Sequence, residues 1–561
     1  MRCLFTGLLV VSAALAAPSD EGGLISAARN DDAAAVQTLL KQGSNPNLRE
    51  ADGSTALAWA VIRSNVELAA SLLKAGADPN LTNELGIGPL ALAVTSGSAE
   101  LVRMLLDHKA DPNAARENGE TPLMTAAQMG RSDVVKLLLD RGGSANVRDK
   151  KFDQTALMRA TGSPESVKLL LEHGADVQAV TRTWDIKYTI YLPTTVTLGK
   201  TGIPWNNEGD YTTKKGGLNA LFFAVQNNDL ASVKMLLDAG IDVNSKSADG
   251  TTPLLAALYK WDPPKSTFVP GKGAPAAAGS SQRFGANVQI AQLLLDRGAT
   301  VHAVDGSGYT PLHGAALAVA QAARTGNRQK AAYGQTAAAL ALGPSDDTEQ
   351  RNSLTDSLAL VRRLLDAGAD PNKQTVYPTG GPAGDVRINP APSGSSPMHM
   401  AASSGSVELA RILTDHGGNP NLIRKDGHTP FSVAVLAGDL PIVKELAERG
   451  ADFRATVNPQ DKIPDPVEAI TLARQKQTMM HLAAIEGKPE LLEYLFSLGV
   501  PLTVKNSMDE TPFDLADKQE RYREAIQRQG ADGDPEKLKN IVRKTAGSDT
   551  LRKLASQTAA R

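Results

Sequence analysis

The stretch from Ser54 to Asn146 repeats one short pattern three times at a spacing of 33 residues. Each copy opens with six residues that end in Ala and continues to a Leu-Leu pair. The openings are Thr55–Ala60, Gly88–Ala93 and Thr121–Ala126, and the pairs are Leu72-Leu73, Leu105-Leu106 and Leu138-Leu139. A fixed period of this length indicates a stacked array in which every unit packs on its neighbours. The chain is therefore expected to form a solenoid, which grows by adding layers.

Each copy has the chemistry of two short antiparallel helices. The hydroxyl of Thr121 suits the cap of the first helix, and Pro122 suits its first position, where a missing N–H costs nothing. Gly76 and Gly142 stand where the second helix should end, because glycine adopts positive φ without a Cβ clash. Lys109 occupies the same place in the middle copy, at some local cost. Helices of roughly 8 to 10 residues are unstable alone in water, so each pair must bury one face against the next.

The 33-residue period and the Thr-Pro-Leu-x-x-Ala type of opening resemble the ankyrin-repeat family. The resemblance implies an all-α solenoid of about twelve helix-turn-helix repeats with short β-turn fingers. A polar copy near Gly22 suits an N-terminal cap, and later openings start at Thr155, Asn219, Thr252, Thr310, Ser396, Thr429, Thr478 and Thr511.

Histidine follows the opening's third residue in three of these copies, at His313, His399 and His481. In the family this histidine forms hydrogen bonds between neighbouring loops, so the resemblance implies a structural role. Met398 and Met400 flank His399 and raise the alternative of a copper site, since thioether and imidazole are suitable ligands. Successive helical positions point in different directions, however, which favours the structural role.

The first 16 residues are interpreted as a signal peptide. A basic residue at Arg2, an apolar run from Leu4 to Leu15 that is too short to span a bilayer, and small residues at its end occur in the typical order. An uncleaved anchor and a buried helix are the alternatives. Cleavage would remove Cys3 and, with it, any disulfide, thiol catalysis, cysteine-bound zinc or covalently attached haem. The interpretation predicts an exported protein, either periplasmic or secreted.

Charge and hydropathy limit the partners that we expect. The chain has 59 Lys and Arg against 61 Asp and Glu, a formal net charge of -2. This balance argues against nucleic acid or an anionic membrane surface, both of which select basic proteins. No later apolar segment is long enough to span a membrane. We expect a monomer that binds another protein.

Spacings above 33 residues predict where segments are inserted. The predicted order is repeats 1–5 at 17–178, an aromatic β-rich finger insert at 179–217, repeats 6–8 at 218–373 with inserts between helices at 258–286 and 319–357, a finger insert at 374–395, repeats 9–12 at 396–530 with a finger insert at 456–476, and a C-terminal helix and tail at 531–561. Alternating, β-branched residues before a Gly-rich turn favour a hairpin in the first finger insert.

Aromatic residues are concentrated within or beside the first inserts. The candidate partner-binding residues are Trp184, Tyr188, Tyr191, Trp205, Tyr211 and Trp261. Aromatic side chains on an elaboration that the repeat core does not need are candidate hot spots for a partner. The alternative is that they form a small core for the insert itself, and the two interpretations can both hold.

No catalytic motif accompanies the repeats: the sequence has no H-E-x-x-H, no G-x-S-x-G and no phosphate loop. We therefore expect neither catalysis nor a cofactor or metal. The expected function is that of a protein-protein interaction scaffold, which binds its partner on the concave ankyrin surface and through the aromatic insert. A small-ligand or glycan-binding protein is the main alternative. A hydrolase with an unrecognised carboxylate pair and a host-directed effector rank below it.

Overall fold

The computed structural model describes residues 23–193, 205–258, 287–306, 308–333, 345–376, 394–457, 476–518 and 547–558. The chain divides into two compact units. Unit 1 comprises Met1–Arg182 and Asn219–Ile241, and unit 2 comprises Thr183–Leu218 and Asp242–Arg561.

The described part of unit 1 is a series of helix pairs, each made of an inner helix and an outer helix. The helices are α1 (Gly23–Arg29), α2 (Ala33–Lys41), α3 (Ala56–Ile62), α4 (Val66–Lys74), α5 (Pro89–Ser96), α6 (Ala99–Asp107), α7 (Pro122–Gln128), α8 (Ser132–Asp140), α9 (Ala156–Ala160), α10 (Pro164–Glu172), α11 (Ala220–Gln226) and α12 (Leu230–Asp238). The odd-numbered inner helices pack side by side in chain order, and so do the even-numbered outer helices. This is the packing of a helical repeat array.

The openings of the repeats start the inner helices as the sequence predicts. Thr121 accepts a hydrogen bond on its hydroxyl from the amide of Met124 at 3.3 Å, and Pro122 is the first helical residue. At the other end of the helix pair, Gly76 and Gly142 have φ values of 92° and 88°. Lys109 adopts the same left-handed region, with φ at 68°. The residues at which these helices begin and end therefore follow from local side-chain and backbone chemistry.

The core lies between the inner and outer helices. In the second to fourth repeats the final Ala of each opening and the first Leu of each pair are completely buried, at Ala60, Ala93, Ala126, Leu72, Leu105 and Leu138. Small alanines let the two helices approach closely, and the leucines fill the space between them. Burial of a Leu side chain contributes roughly 1.5 to 3 kcal/mol, and its removal also leaves a cavity.

An asparagine side chain connects the end of each repeat to the next one. Asn80 donates from Nδ2 to the carbonyl of Lys109 at 3.0 Å and accepts on Oδ1 from the amide of Asp111 at 2.7 Å. The same pair of bonds is made by Asn47, Asn113, Asn146, Asn244, Asn372 and Asn421. These asparagines satisfy backbone groups at the end of an outer helix and fix the spacing of adjacent repeats.

The described part of unit 2 also contains helix pairs, and one of these pairs has much longer helices than any in unit 1. Its helices are α13 (Pro253–Leu258), α14 (Val288–Asp296), α15 (Pro311–Tyr333), α16 (Ser345–Asp366), α17 (Pro397–Ser404), α18 (Val407–Asp415), α19 (Pro430–Ala437), α20 (Leu440–Glu448), α21 (Met479–Glu486), α22 (Pro489–Ser497), α23 (512–518) and α24 (547–558). The pair α15 and α16 has 23 and 22 residues, so helical structure extends into the segment that the sequence predicts as an insert between helices.

Two antiparallel strands also belong to unit 2. They are β1 (Thr183–Pro193) and β2 (Trp205–Gly216), and an irregularity interrupts their register between Thr189 and Tyr191. The hairpin is attached at its base, where Lys215 Nζ lies 2.9 Å from Asp249 Oδ2 and the amide of Ala248 donates to the carbonyl of Gly216 at 2.9 Å. Lys215 is buried, so this attachment is a desolvated ion pair.

Candidate interaction surfaces

Five of the six candidate partner-binding residues lie on the hairpin. Trp184, Tyr188 and Tyr191 are in β1, and Trp205 and Tyr211 are in β2. The register pairs Tyr188 with Tyr211, Trp184 with Lys215, and Trp205 with Pro193. Trp184 is half-buried. Trp261 lies outside the described residues, so its place among the partner-binding residues stays a prediction.

At the base of the hairpin, the carboxyl group of Asp249 is ionised. Burial alone would raise the pKa of Asp249, but hydrogen bonds from Ser247, Lys215 and Thr251 and the charge of Lys215 lower it below its usual value. Asp249 is therefore ionised at neutral pH, and its carboxylate holds the ammonium group of Lys215. This ion pair anchors the strand that carries two of the candidate aromatic residues.

A second surface follows the inner helices of unit 1. The residue before the final Ala of each opening recurs once per repeat, at Ser26, Trp59, Leu92, Thr125, Arg159 and Phe223. We call these residues the inner row. Ser26 is exposed, and the other five are partly exposed. Because the inner helices stack in order, the inner row forms a continuous strip along unit 1.

The fingers border this strip, as contacts at Trp59 show. The Trp59 indole donates to Glu50 Oε2 at 3.1 Å, and Glu50 belongs to the finger that precedes the helix. The guanidinium of Arg29 lies 4.8 Å from the Trp59 ring centroid and forms an ion pair with Glu50. Finger and inner row are therefore in contact, and we call the surface that they form together the inner trough of unit 1.

Arg159 connects the inner row to two fingers further along. Its Nη1 lies 2.6 Å from Glu120 Oε1, and its Nη2 lies 3.0 Å from Asp149 Oδ2. Asp149 is buried, which would raise its pKa, but amide bonds from Phe152 and Lys151 and the pairing with Arg159 lower it. The sequence reasoning did not single out Arg159. The available signal was a charged residue at a repeat position that is otherwise mostly apolar.

In unit 2 the residue before the final Ala of the opening is mostly buried. Met400, Val433 and Leu482 are 5%, 8% and 1% exposed, and only the last copy, at Leu515, is partly exposed among the described apolar members. The inner surface therefore differs between the units, although the openings of their repeats have the same pattern.

The three histidines of the openings lie in unit 2 and bridge adjacent repeats. His399 accepts on Nδ1 from the amide of Ser396 at 3.1 Å and donates from Nε2 to the carbonyl of His428 at 3.2 Å. His313 and His481 make equivalent bonds to the carbonyls of Ser395 and Glu510. These contacts are those of a structural residue. Within the described ranges, no group of three or more His, Cys, Asp or Glu side chains is arranged to hold a metal ion.

Stacked helix pairs with hydrogen-bonded fingers define the class of helical repeat proteins, and comparisons with known proteins specify the family. Models described as "Ankyrin repeats (3 copies)" match residues 24–116, 111–181 and 352–457, and a model described as "Ankyrin repeats (many copies)" matches residues 221–262. Together these matches cover more than half of the chain. The chain belongs to the ankyrin-repeat family.

Several curated proteins are similar to this chain over part of its length. The chain is 25% identical to mouse (Mus musculus) Rabankyrin-5 over 313 residues, which is 50% of this chain and 24% of that protein. It is 34% identical to human (Homo sapiens) Ankyrin repeat and SOCS box protein 16 over 234 residues, 40% of this chain and 41% of that protein. A putative E3 ubiquitin-protein ligase of Arabidopsis thaliana is 28% identical over 147 residues, 21% of this chain and 32% of that protein. The chain thus spans less than half the length of each of these relatives.

No helix in the described part of the chain is both long enough and apolar enough to cross a membrane.

Proposed function

We propose that this chain is a non-catalytic scaffold that is exported and binds a partner protein. The observation that carries the proposal is the inner trough of unit 1, where partly exposed side chains recur once per repeat along adjacent helices. Ankyrin repeats mediate protein-protein interaction, and a solenoid offers an extended surface for it. Export rests on the order of basic, apolar and small residues in the first 16 positions.

The aromatic hairpin is the second part of the proposed binding surface. It carries Trp184, Tyr188, Tyr191, Trp205 and Tyr211 on two paired strands, and a buried ion pair holds its base. Tyr and Trp dominate the contact energy of many interfaces. In the alternative function, the same aromatic residues bind a glycan or another small ligand by stacking on it.

An affinity experiment separates these functions. Residues 17–561 and a variant that lacks residues 183–213 are used to capture exported proteins of the source organism, and their melting temperatures are compared. A protein captured only by the complete chain, with equal melting, supports partner binding through the hairpin. Equal capture assigns the partner to the repeats. If no protein is captured and sugars shift the Trp fluorescence of the complete chain, the small-ligand alternative replaces the scaffold.

A further inference from the structure

Three of the five large apolar side chains that are exposed in the described part of unit 1 lie in its second to fourth repeats. Trp59 and Leu92 belong to the inner row, and Leu85, at the tip of the next finger, is 65% exposed. Ile62 and Met129, at or just beyond the ends of inner helices, are 47% and 46% exposed. The second to fourth repeats therefore present an apolar floor that water covers in the isolated chain. Apolar clusters of this kind on a folded protein mark interaction sites.

Each finger tip beside this floor carries an exposed acidic residue, and the first also carries Arg49, whose guanidinium donates to the backbone carbonyls of Gly53 and Thr82. Asp52, Glu84 and Glu117 are exposed acidic residues at the tips of successive fingers. Glu84 and Glu117 form no ion pair among the residues that the structure describes. The next finger reverses the sign, with Lys150 and Lys151 exposed at its tip. Exposed carboxylates thus line the rim of the trough along the second to fourth repeats, and exposed lysines follow at the next finger tip.

The charges on the floor itself are already paired within the chain. Glu50 is paired with Arg29, and Arg159 is held by Glu120 and Asp149. A partner gains little by competing for Arg159, because the buried carboxylate of Asp149 would lose its own partner. The acidic finger tips are therefore the charges that an incoming segment meets.

We propose that the inner trough of unit 1 binds an amphipathic segment of the partner protein, apolar on one face and rich in Lys and Arg on the other. The apolar face covers Trp59, Leu92 and Leu85, and the cationic face meets Glu84 and Glu117. This inference rests on the proposed scaffold function and specifies the chemistry of its partner. Complementary charge sets the orientation and association rate of such a complex, while the apolar contacts supply most of its affinity.

The size of the surface fixes the length of the segment. Adjacent packed helices are about 10 Å apart, so three successive inner helices span about 20 Å. An α-helix rises about 1.5 Å per residue, so about 14 residues cover this distance. The direct probe is a synthetic amphipathic peptide of about 14 residues made of Leu and Lys, with a Leu and Glu peptide of the same pattern as its counterpart.

Binding of both peptides to the full chain is measured by fluorescence anisotropy at low and high salt. The Leu and Lys peptide is expected to bind at least about tenfold more tightly, with a difference that shrinks at high salt because exposed charges are screened. The double variant E84K/E117K should remove or reverse this preference. The variant E67K/E100K makes the same change in charge on the outer helices α4 and α6 of the same repeats, and it should keep the preference.

A Leu85→Ser variant tests the apolar floor and should weaken the binding of the Leu and Lys peptide about tenfold or more. The proposal is overturned if the wild-type chain prefers neither peptide, or if E67K/E100K loses the preference as fully as E84K/E117K. If the affinity experiment above still captures a partner in that case, the scaffold function stands and only the chemistry assigned here is wrong.

Discussion

Lowering the pH from 7 to 5 should loosen unit 2 before unit 1. His313 and His399 are buried, and burial lowers their pKa values to about 4 and about 3. In each ring Nδ1 faces the amide of the helix cap, at Thr310 and at Ser396. A proton on Nδ1 would turn this acceptor into a donor opposite another donor. The neutral ring is therefore the one that fits the fold.

The charged neighbours of each ring do not reverse this effect. For His399, Arg424 lowers the pKa further, while the carbonyl of His428 and the charge of Asp426 raise it by less than burial lowers it. For His313, the carbonyl bonds to Ser395 and Lys373 and the charge of Asp370 also oppose burial, and Lys373 again lowers the pKa.

The sign and the size of the effect follow from linkage. The unfolded chain binds a proton on each ring below its ordinary pKa of about 6.5, whereas the folded chain does so only below about 4 or about 3. In this window the unfolded state holds more protons, so the free energy of unfolding falls as the pH falls. From pH 6.5 to pH 5 the loss is about 1.36 kcal/mol per pH unit and per ring, or about 4 kcal/mol for the two histidines.

Hydrogen exchange followed by mass spectrometry, corrected for the intrinsic pH dependence, gives the local stability of each repeat. At pH 5 the amides of α15, α17 and α19 should exchange faster relative to pH 7 than those of α3, α5 and α7. The variant H313Q/H399Q is less stable at pH 7, but unit 2 should show a smaller change between the two pH values. Equal loosening of both units, or an unchanged pH response in the variant, would refute the reasoning.

Three substitutions test the packing and the connections between repeats. Leu105→Ala removes a completely buried side chain and should lower the free energy of unfolding by about 2 to 5 kcal/mol in urea, whereas Leu85→Ala, at 65% exposure, should change it by less than about 0.5 kcal/mol. Asn113→Ala breaks both side-chain bonds to the next turn and should cost about 1 to 2 kcal/mol, with faster amide exchange centred on that turn and not on the finger tips. Arg159→Leu leaves the buried carboxylate of Asp149 with amide donors alone and should cost about 1 to 3 kcal/mol at pH 7; a variant as stable as the wild type would show that this ion pair is structurally neutral.

The sequence was informative where the cause of a feature is local. Thr121 and Pro122 start a helix, and the bond from the Met124 amide to the Thr121 hydroxyl spans only three residues. Gly76 and Gly142 end helices because glycine adopts positive φ readily. The family was also accessible, because a repeated opening and a repeated Leu pair identify it without reference to long-range contacts.

Apart from the histidine bonds between repeats, which the family resemblance implied, features that depend on neighbouring repeats were not predicted. Asn113 ends a turn that the sequence shows plainly, but both of its partners lie about one repeat further along the chain. The network of Arg159 joins fingers 39 and 10 residues away, and only packing brings them together. The partly exposed inner row of unit 1 and the buried Met400 and Val433 of unit 2 come from openings of the same pattern, so the openings alone do not encode the difference in exposure.

The most direct test of the account is a hydrogen-exchange footprint of the full chain with its captured partner. We predict protection in the fingers and inner helices of unit 1, at residues 49–62, 82–95 and 116–128, with no change in the outer helices α4, α6 and α8. Protection of those outer helices, or protection in unit 2 with none in the inner trough, would contradict the central claim that the inner trough of unit 1 is the binding surface.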